Sequence, residues 1–267
     1  MKTFAKLYKV NLLEELNYKS VFISGIICQF AFAIIYIVLY RAFYESGIPQ
    51  NFDIYQMSSY VCLNQAFFAM FIYRDINKTK ITQKILNGDV CYQLLKPINL
   101  YDYWFGENIS RGMSMATLRC MPIIAVALLL PKGYGLMLPN SFATFALFLL
   151  ALILGCVLIN AVKMFAYICV LYTMDNKGVF ALFISICSLL AGSVIPIPMM
   201  PDGLQKILNF MPFRYASDLP FRIYIGNIGL TDGLVQIGIQ IVWIIALVII
   251  GRLILTAKSK KLVVQGG

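Results

Sequence analysis

Residues 142–172 read FATFALFLLALILGCVLINAVKMFAYICVLY, and this stretch decides the fold class. It contains no acidic residue, one cation (Lys163) and one carboxamide (Asn160). About 20 mostly apolar residues suffice for a helix to cross a bilayer. At ~1.5 Å of rise per residue this stretch extends for about 46 Å, well beyond the ~30 Å hydrocarbon layer. It reads as one long helix, tilted or protruding, whose Lys163 end emerges at the cytoplasmic interface.

The rest of the chain agrees. Of 267 residues, 60% are hydrophobic and only 13% charged, where soluble domains carry about 25% charged residues. Mean hydropathy is +0.79. Five further segments are long and apolar enough to be spans: 20–40, 54–73, 112–130, 179–196 and 234–254. The second carries Gln56, Asn64 and Gln65, and the third carries Arg119. The expectation is an all-α, polytopic membrane protein with six transmembrane helices forming a single transmembrane domain over 1–267. No repeat relates the two halves of the chain, which argues against an inverted-repeat carrier.

Charge sets the orientation. With both termini in the cytoplasm, 16 of the 22 Lys and Arg fall in inner segments, against Arg41, Lys132, Lys206, Arg214 and Arg222 outside. Such an asymmetry is the positive-inside pattern. The net charge of +10 is therefore an inner-face or membrane-buried excess. No soluble basic domain exists to bind nucleic acid.

Absent residues exclude several chemistries. The chain has no histidine, so imidazole base catalysis, a Ser-His-Asp triad and a His-rich metal site are ruled out. Its seven cysteines are odd in number, form no CxxC pair and mostly lie in apolar stretches, as small apolar residues of a bundle do. No GxxxxGK[ST] loop occurs, so the chain does not hydrolyse nucleotide itself. No Asp or Glu lies mid-span, which removes the usual carboxylate of a proton- or sodium-coupled carrier. Catalytic and metal-ligating residues are expected to be none, and the energy source is expected to lie outside this chain.

Three segments between or beside the spans carry unusual text. Residues 1–19 read as an interfacial helix rather than a cleavable leader, with Phe4, Leu7, Tyr8, Leu12 and Leu16 on one side; Glu15 falls on that side and Leu13 off it. The cytoplasmic segment 75–97 opens with a short helix ending at Leu86, in which Ile76, Ile81 and Ile85 share a side and Lys78, Lys80 and Lys84 point outward. Asn87-Gly88 stops that helix, and Asp89 opens a half-apolar stretch closed by Pro97. Unable to bury itself alone, this segment docks into a partner or lies against the membrane. The external segment 197–233 is prolines and apolar residues together: Pro198, Pro201, Pro212 and Pro220 follow Pro196, interleaved with Ile207, Leu208, Phe210, Met211, Phe213 and Phe221. Broken half-helices re-entering the outer leaflet, or a folded external cap, account for that text. Among intramembrane polar residues, Arg119 snorkels to headgroups or meets substrate. Asn64 and Gln65 bond across helices or line a path, and Asn160 is a third path-lining candidate.

The order of these features resembles the ABC-2-type exporter permeases, in a branch similar to daunorubicin-type and viologen-type export permeases. The resemblance is carried by Ile85-Leu86-Asn87-Gly88-Asp89 through Leu94-Leu95-Lys96-Pro97, by Gly192-Ser193-Val194-Ile195-Pro196, and by Met211-Pro212-Phe213-Arg214-Tyr215 with Pro220 and Gly226. The terminal Val263-Val264-Gln265-Gly266-Gly267 adds to it. It implies a permease that pairs with an identical or sister permease and sits on two copies of a separate ATP-binding subunit, which holds the ATP and Mg. This chain would hold no cofactor. ATPase coupling would fall to Lys78, Lys80, Lys84, Asn87, Gly88 and Asp89, and an external gate to Pro196, Pro198, Pro201, Pro212 and Phe213. The expected location is the plasma (inner) membrane of a prokaryote, in contact with membrane lipid. The expected cargo is an amphiphile such as a drug, peptide or lipid. A membrane anchor that recruits a cytosolic partner without transport is the alternative, separable by co-purification of an active ATPase.

Overall fold

The computed structural model describes residues 2–45, 53–71, 79–95, 97–131, 133–192, 197 and 200–259. They form helices α1 (Lys2–Asn17), α2 (Lys19–Glu45), α3 (Ile54–Ala66), α4 (Phe68–Phe71), α5 (Lys80–Leu86), α6 (Val90–Leu94), α7 (Leu100–Leu129) and α8 (Phe142–Thr173). There follow α9 (Asn176–Leu190), α10 (Asp202–Leu208), α11 (Pro212–Tyr224) and α12 (Leu230–Ser259).

The stretch that decided the fold class is one unbroken helix, α8, and the bundle is built around it. Ser141 caps its start by accepting from the Thr144 amide at 3.1 Å, and Met174 ends it in the left-handed region at φ 53°. Its Ala151, Cys156, Leu158, Ile159, Ala161, Met164, Ala166, Tyr167 and Val170 are fully buried. The helices α5, α7, α9, α11 and α12 all pack on it. Lys163 does not emerge at an interface as expected: it is only 6% exposed, because α8 continues beyond it to Thr173 inside the packed bundle.

Among the described residues, four helices are long and apolar enough to cross a membrane: α2, α7, α8 and α12. In α2 and α12 only 17% of the most apolar window is buried, against 50% in α8. Both leave rows of apolar residues bare, such as Ile23, Ile27 and Ile34 on α2 and Val235, Val242 and Ile249 on α12. That is the surface of a helix bathed in hydrocarbon or covered by a second subunit.

The other two expected spans differ. Segment 54–73 breaks at Phe67 (φ −100°, ψ 6°) into α3 and α4. Its capping box is complete, because Asp53 accepts from the helix start and the Asp53 amide donates to Gln56 Oε1 at 3.1 Å. Segment 179–196 contributes α9, which has 15 residues and so covers only about 22 Å. Residues 72–73 and 193–196 lie outside the described residues.

Helix α7 starts at Leu100 rather than near 112. Asn99 caps it, accepting from the Tyr101 amide at 2.9 Å, just after the helix-excluding Pro97. Its first turns are core: Tyr101 is 1% and Trp104 0% exposed. The segment expected to be cytoplasmic connection is thus the foot of a long helix.

Candidate functional site

The foot of α7 gathers one set of candidate residues. Thr79 caps α5, accepting from the Thr82 amide at 3.2 Å. Ile81 and Ile85 are buried and α5 packs against α8. Gly88 (φ +78°) makes the turn into α6, a conformation that glycine adopts without strain. Val90 is buried, and Gln93 accepts a hydrogen bond from Trp104 Nε1 at 2.9 Å. The segment therefore does bury its inner side within its own chain, contrary to the expectation that it could not. Left outside are Leu86, Tyr92, Leu94, Leu95 and Ile98, with Tyr92 70% and Leu95 82% exposed.

The expected coupling residues surround this bare strip. Lys80 pairs with Glu14 at 2.8 Å, both about half exposed, and the Lys84 ammonium lies 5.8 Å from the Tyr103 ring centre. Asn87 caps the end of α5. Asp89 precedes α6 without a side-chain capping bond. Lys78 lies outside the described residues.

Helix α1 is a protein-packed strap along α7 and not simply an interfacial float. Tyr8 donates to Thr117 (3.2 Å), Asn11 to Ser110 (3.0 Å), and Ser114 to the Tyr8 carbonyl (3.0 Å). Glu15, the misfit on its apolar side, pairs with Arg119 at 3.1 Å. Arg119 thus meets a carboxylate of its own chain and does not stand alone as a substrate contact. Its charge is met inside the bundle, where an uncompensated one is costly.

The second set lies at the far end of α7 and the start of α8. A half-open cleft of about 240 Å³, open space at its mouth included, is lined by Tyr36 and Tyr40 of α2, by Tyr60, Val61, Asn64 and Gln65 of α3, and by Gly192. The structure thus brings Asn64 and Gln65 together. Asn160 stands apart: it is fully buried in α8 and donates to the Cys156 carbonyl at 2.7 Å.

Beside the cleft is α11, and its burial is the site's main surprise. Pro201 precedes α10 and is exposed, Pro212 occupies the first turn of α11, and Phe213 is half-buried against the core. Pro196 and Pro198 lie outside the described residues. From Arg214 to Phe221 every residue of α11 is buried. Asp218 is 0% exposed, flanked at 3.6 Å by Arg214 and by Arg222, one turn before and one turn after it. Tyr60 donates its hydroxyl proton to Asp218 at 2.8 Å. Arg214 further bonds Asn209 and Gln236, and Arg222 bonds Asn227 at 2.7 and 2.9 Å. None of Tyr60, Arg214, Asp218 or Arg222 stood out as a site residue in the sequence reading. The signal was the four-residue spacing of three charges in apolar text.

Two further contacts lock α11 against α8 and α12. Pro220 has no N–H to donate to the carbonyl of Ala216, and that oxygen would lie 2.2 Å from a Cβ placed on Gly155. Only glycine permits the approach. Gln240 spans the junction, donating to the carbonyls of Ala151 (3.1 Å) and Tyr215 (2.8 Å). No group of three or more His, Cys, Asp or Glu among the described residues could hold a metal ion.

A family model described as ABC-2 family transporter protein matches residues 26–266. The chain belongs to the ABC-2 transporter family. No curated protein and no solved structure matches it significantly. As an ABC-2 permease it is a multi-pass membrane component of an ABC transporter, a component that lacks its own ATPase site and works with an ABC ATP-binding subunit.

Proposed function

We propose that this ABC-2 permease exports an amphiphilic substrate from the cytoplasm, driven by ATP hydrolysed on a separate subunit that docks at α5 and α6. The observation that carries this reading is the bare apolar strip Leu86, Tyr92, Leu94 and Leu95, bordered by Lys80, Lys84, Asn87, Gly88 and Asp89. An apolar centre with a polar rim is the usual anatomy of a protein interface. The strip sits on helices anchored by Gln93 to Trp104 and by Ile81 and Ile85 to the core. A push there moves the foot of α7 and the end of α8 as rigid elements. Through the pair of Lys80 with Glu14 and that of Glu15 with Arg119, α1 shares the displacement.

Six spans with both termini inside, α3–α4 and α9 completing the set, give the positive-inside arrangement and put α10 and α11 at the outer face. The bare faces of α2 and α12 meet lipid or a second permease, identical or sister, and two ATP-binding subunits carry the ATP and Mg. The daunorubicin- and viologen-type branch belongs to this proposal.

The test is co-expression with the candidate ATP-binding subunit. The intact chain should bring down that subunit and make its hydrolysis depend on the permease. Deletion of 78–87, or Asp89→Lys, should abolish the complex. An ATPase still bound and active after the deletion refutes the docking assignment. A complex that forms but moves no cargo in vesicles identifies an anchor instead.

A further inference from the structure

Two adjacent residues of α11 hold two different walls of the cleft. Ser217 donates to the carbonyl of Ala191 at 2.8 Å, next to the wall residue Gly192. Asp218 accepts from Tyr60 at 2.8 Å, and Tyr60 is a lining residue of the cleft with Asn64 and Gln65. On its other sides α11 is fixed. The Gly155–Ala216 approach and the two bonds of Gln240 seat it on α8 and α12.

The two kinds of contact differ in what breaking them costs. Separating Ala216 from Gly155 opens a void in a close-packed interface. Withdrawing Tyr60 from Asp218 breaks a buried hydrogen bond and the edge contact of its ring with Phe221, but it strands no charge. The carboxylate keeps Arg214 and Arg222 at 3.6 Å, so no buried charge is orphaned. The arginines in turn bond Asn209 and Asn227, which bracket α11. Its seat therefore survives the departure of α3. The Phe221 ring makes an edge contact with Tyr60 (5.8 Å, 88°) and stacks on Phe67 (6.4 Å, 24°). Phe67 is where α3 gives way to α4, so the movable wall has its break against the same ring.

We propose that Asp218, with Ser217, is a positioning residue that clasps the cleft: the Tyr60–Asp218 and Ser217–Ala191 bonds hold α3 and the end of α9 against a fixed α11, and opening of the path releases them together. This rests on the reading of the cleft as part of the transport path. It makes α3 and the end of α9, rather than α11, the parts that move.

The experiment uses the full chain in membrane vesicles with its ATP-binding subunit, and Asn64→Cys as a reporter labelled by a maleimide. Peptide mass resolves its labelling from that of the native Cys156, which is fully buried in α8. Tyr60→Phe and Ser217→Ala should each speed reporter labelling in the nucleotide-free state by roughly fivefold, the shift expected from one buried hydrogen bond. Cys156 labelling and the unfolding temperature should stay near those of the parent. Unchanged reporter labelling in both variants overturns the clasp. So does equal acceleration at Cys156, because it reports general loosening. The parent supplies the separate control. If ATP leaves its reporter labelling unchanged although an active ATPase is bound, the transport-path reading fails. If ATP changes it in the parent and Tyr60→Phe labels at the parent's rate both with and without ATP, only the clasp fails.

Discussion

At one end of the bundle, α5 and α6 turn half of their apolar residues into the core and leave Leu86, Tyr92 and Leu95 bare. At the other end, α11 buries everything from Arg214 to Phe221, including a carboxylate and a guanidinium, with the half-buried Arg222 just beyond. Both are short helices in proline-marked connections. The difference is in what completes them. The first leaves an apolar strip outside the core, so substitutions there are expected to spare stability. The second is finished by groups of this chain, from α3, α8, α9 and α12, so losing its charges or its close approach to α8 is expected to cost stability.

That contrast can be broken at several points. The largest effect is expected at Asp218→Asn. Removing the charge leaves the buried Arg214 and the half-buried Arg222 without their shared carboxylate, and breaking a buried ionic set by one partner costs about 3–5 kcal/mol. Loss of folded protein or a steep drop in unfolding temperature in detergent is the expected result, and a parent-like melt would show that the arginines find other partners. Gly155→Ala comes next. A Cβ there would sit 2.2 Å from a backbone oxygen, and forcing atoms into a packed interface costs about 1–3 kcal/mol. The melt should fall, with Cys156 labelling rising alongside it. At the opposite end, Tyr92→Ala with Leu95→Ala should change stability by less than about 0.5 kcal/mol, as exposed substitutions do, yet should lose capture of the ATP-binding subunit in pull-down. A destabilised double variant would mean that the strip is packed against something within the chain and is not a free surface.

Much of the bundle was legible because hydrophobic length is a one-dimensional property. The apolar runs of α2, α8 and α12 announce themselves without any partner. The start of α7 was missed although its marks were present: Pro97 bars a helix and Asn99 caps one at Leu100. The apolar run at 112–130 outweighed them, because the foot of the helix is amphipathic and its buried residues, Tyr101 and Trp104, are spaced among polar ones. The anomaly at Glu15 was a true signal. A carboxylate on an apolar face calls for a cation, and Arg119 in the third expected span was the one without an assigned partner. The pairing joins residues 104 apart in the chain, so spacing could not reveal it. Of the path candidates, Asn64 and Gln65 share a cleft because they are neighbours on α3. Asn160 does not join them, because nothing in a local pattern says toward which neighbour a buried residue of α8 turns.

The amino-acid sequence by itself determined that this chain lives in a membrane, that its helices are long, that it carries no catalytic imidazole or nucleotide loop, and on which side its excess charge is expected. These follow from composition and from local order, since hydration and helical rise act on each segment separately. Only the tertiary structure decided which polar residues are answered and by whom. Asp218 meets Tyr60 across 158 residues, and Gly155 matters because the Ala216 carbonyl arrives there from another helix. Compensation of a buried charge, and the closeness of two backbones, are properties of pairs brought together by the fold.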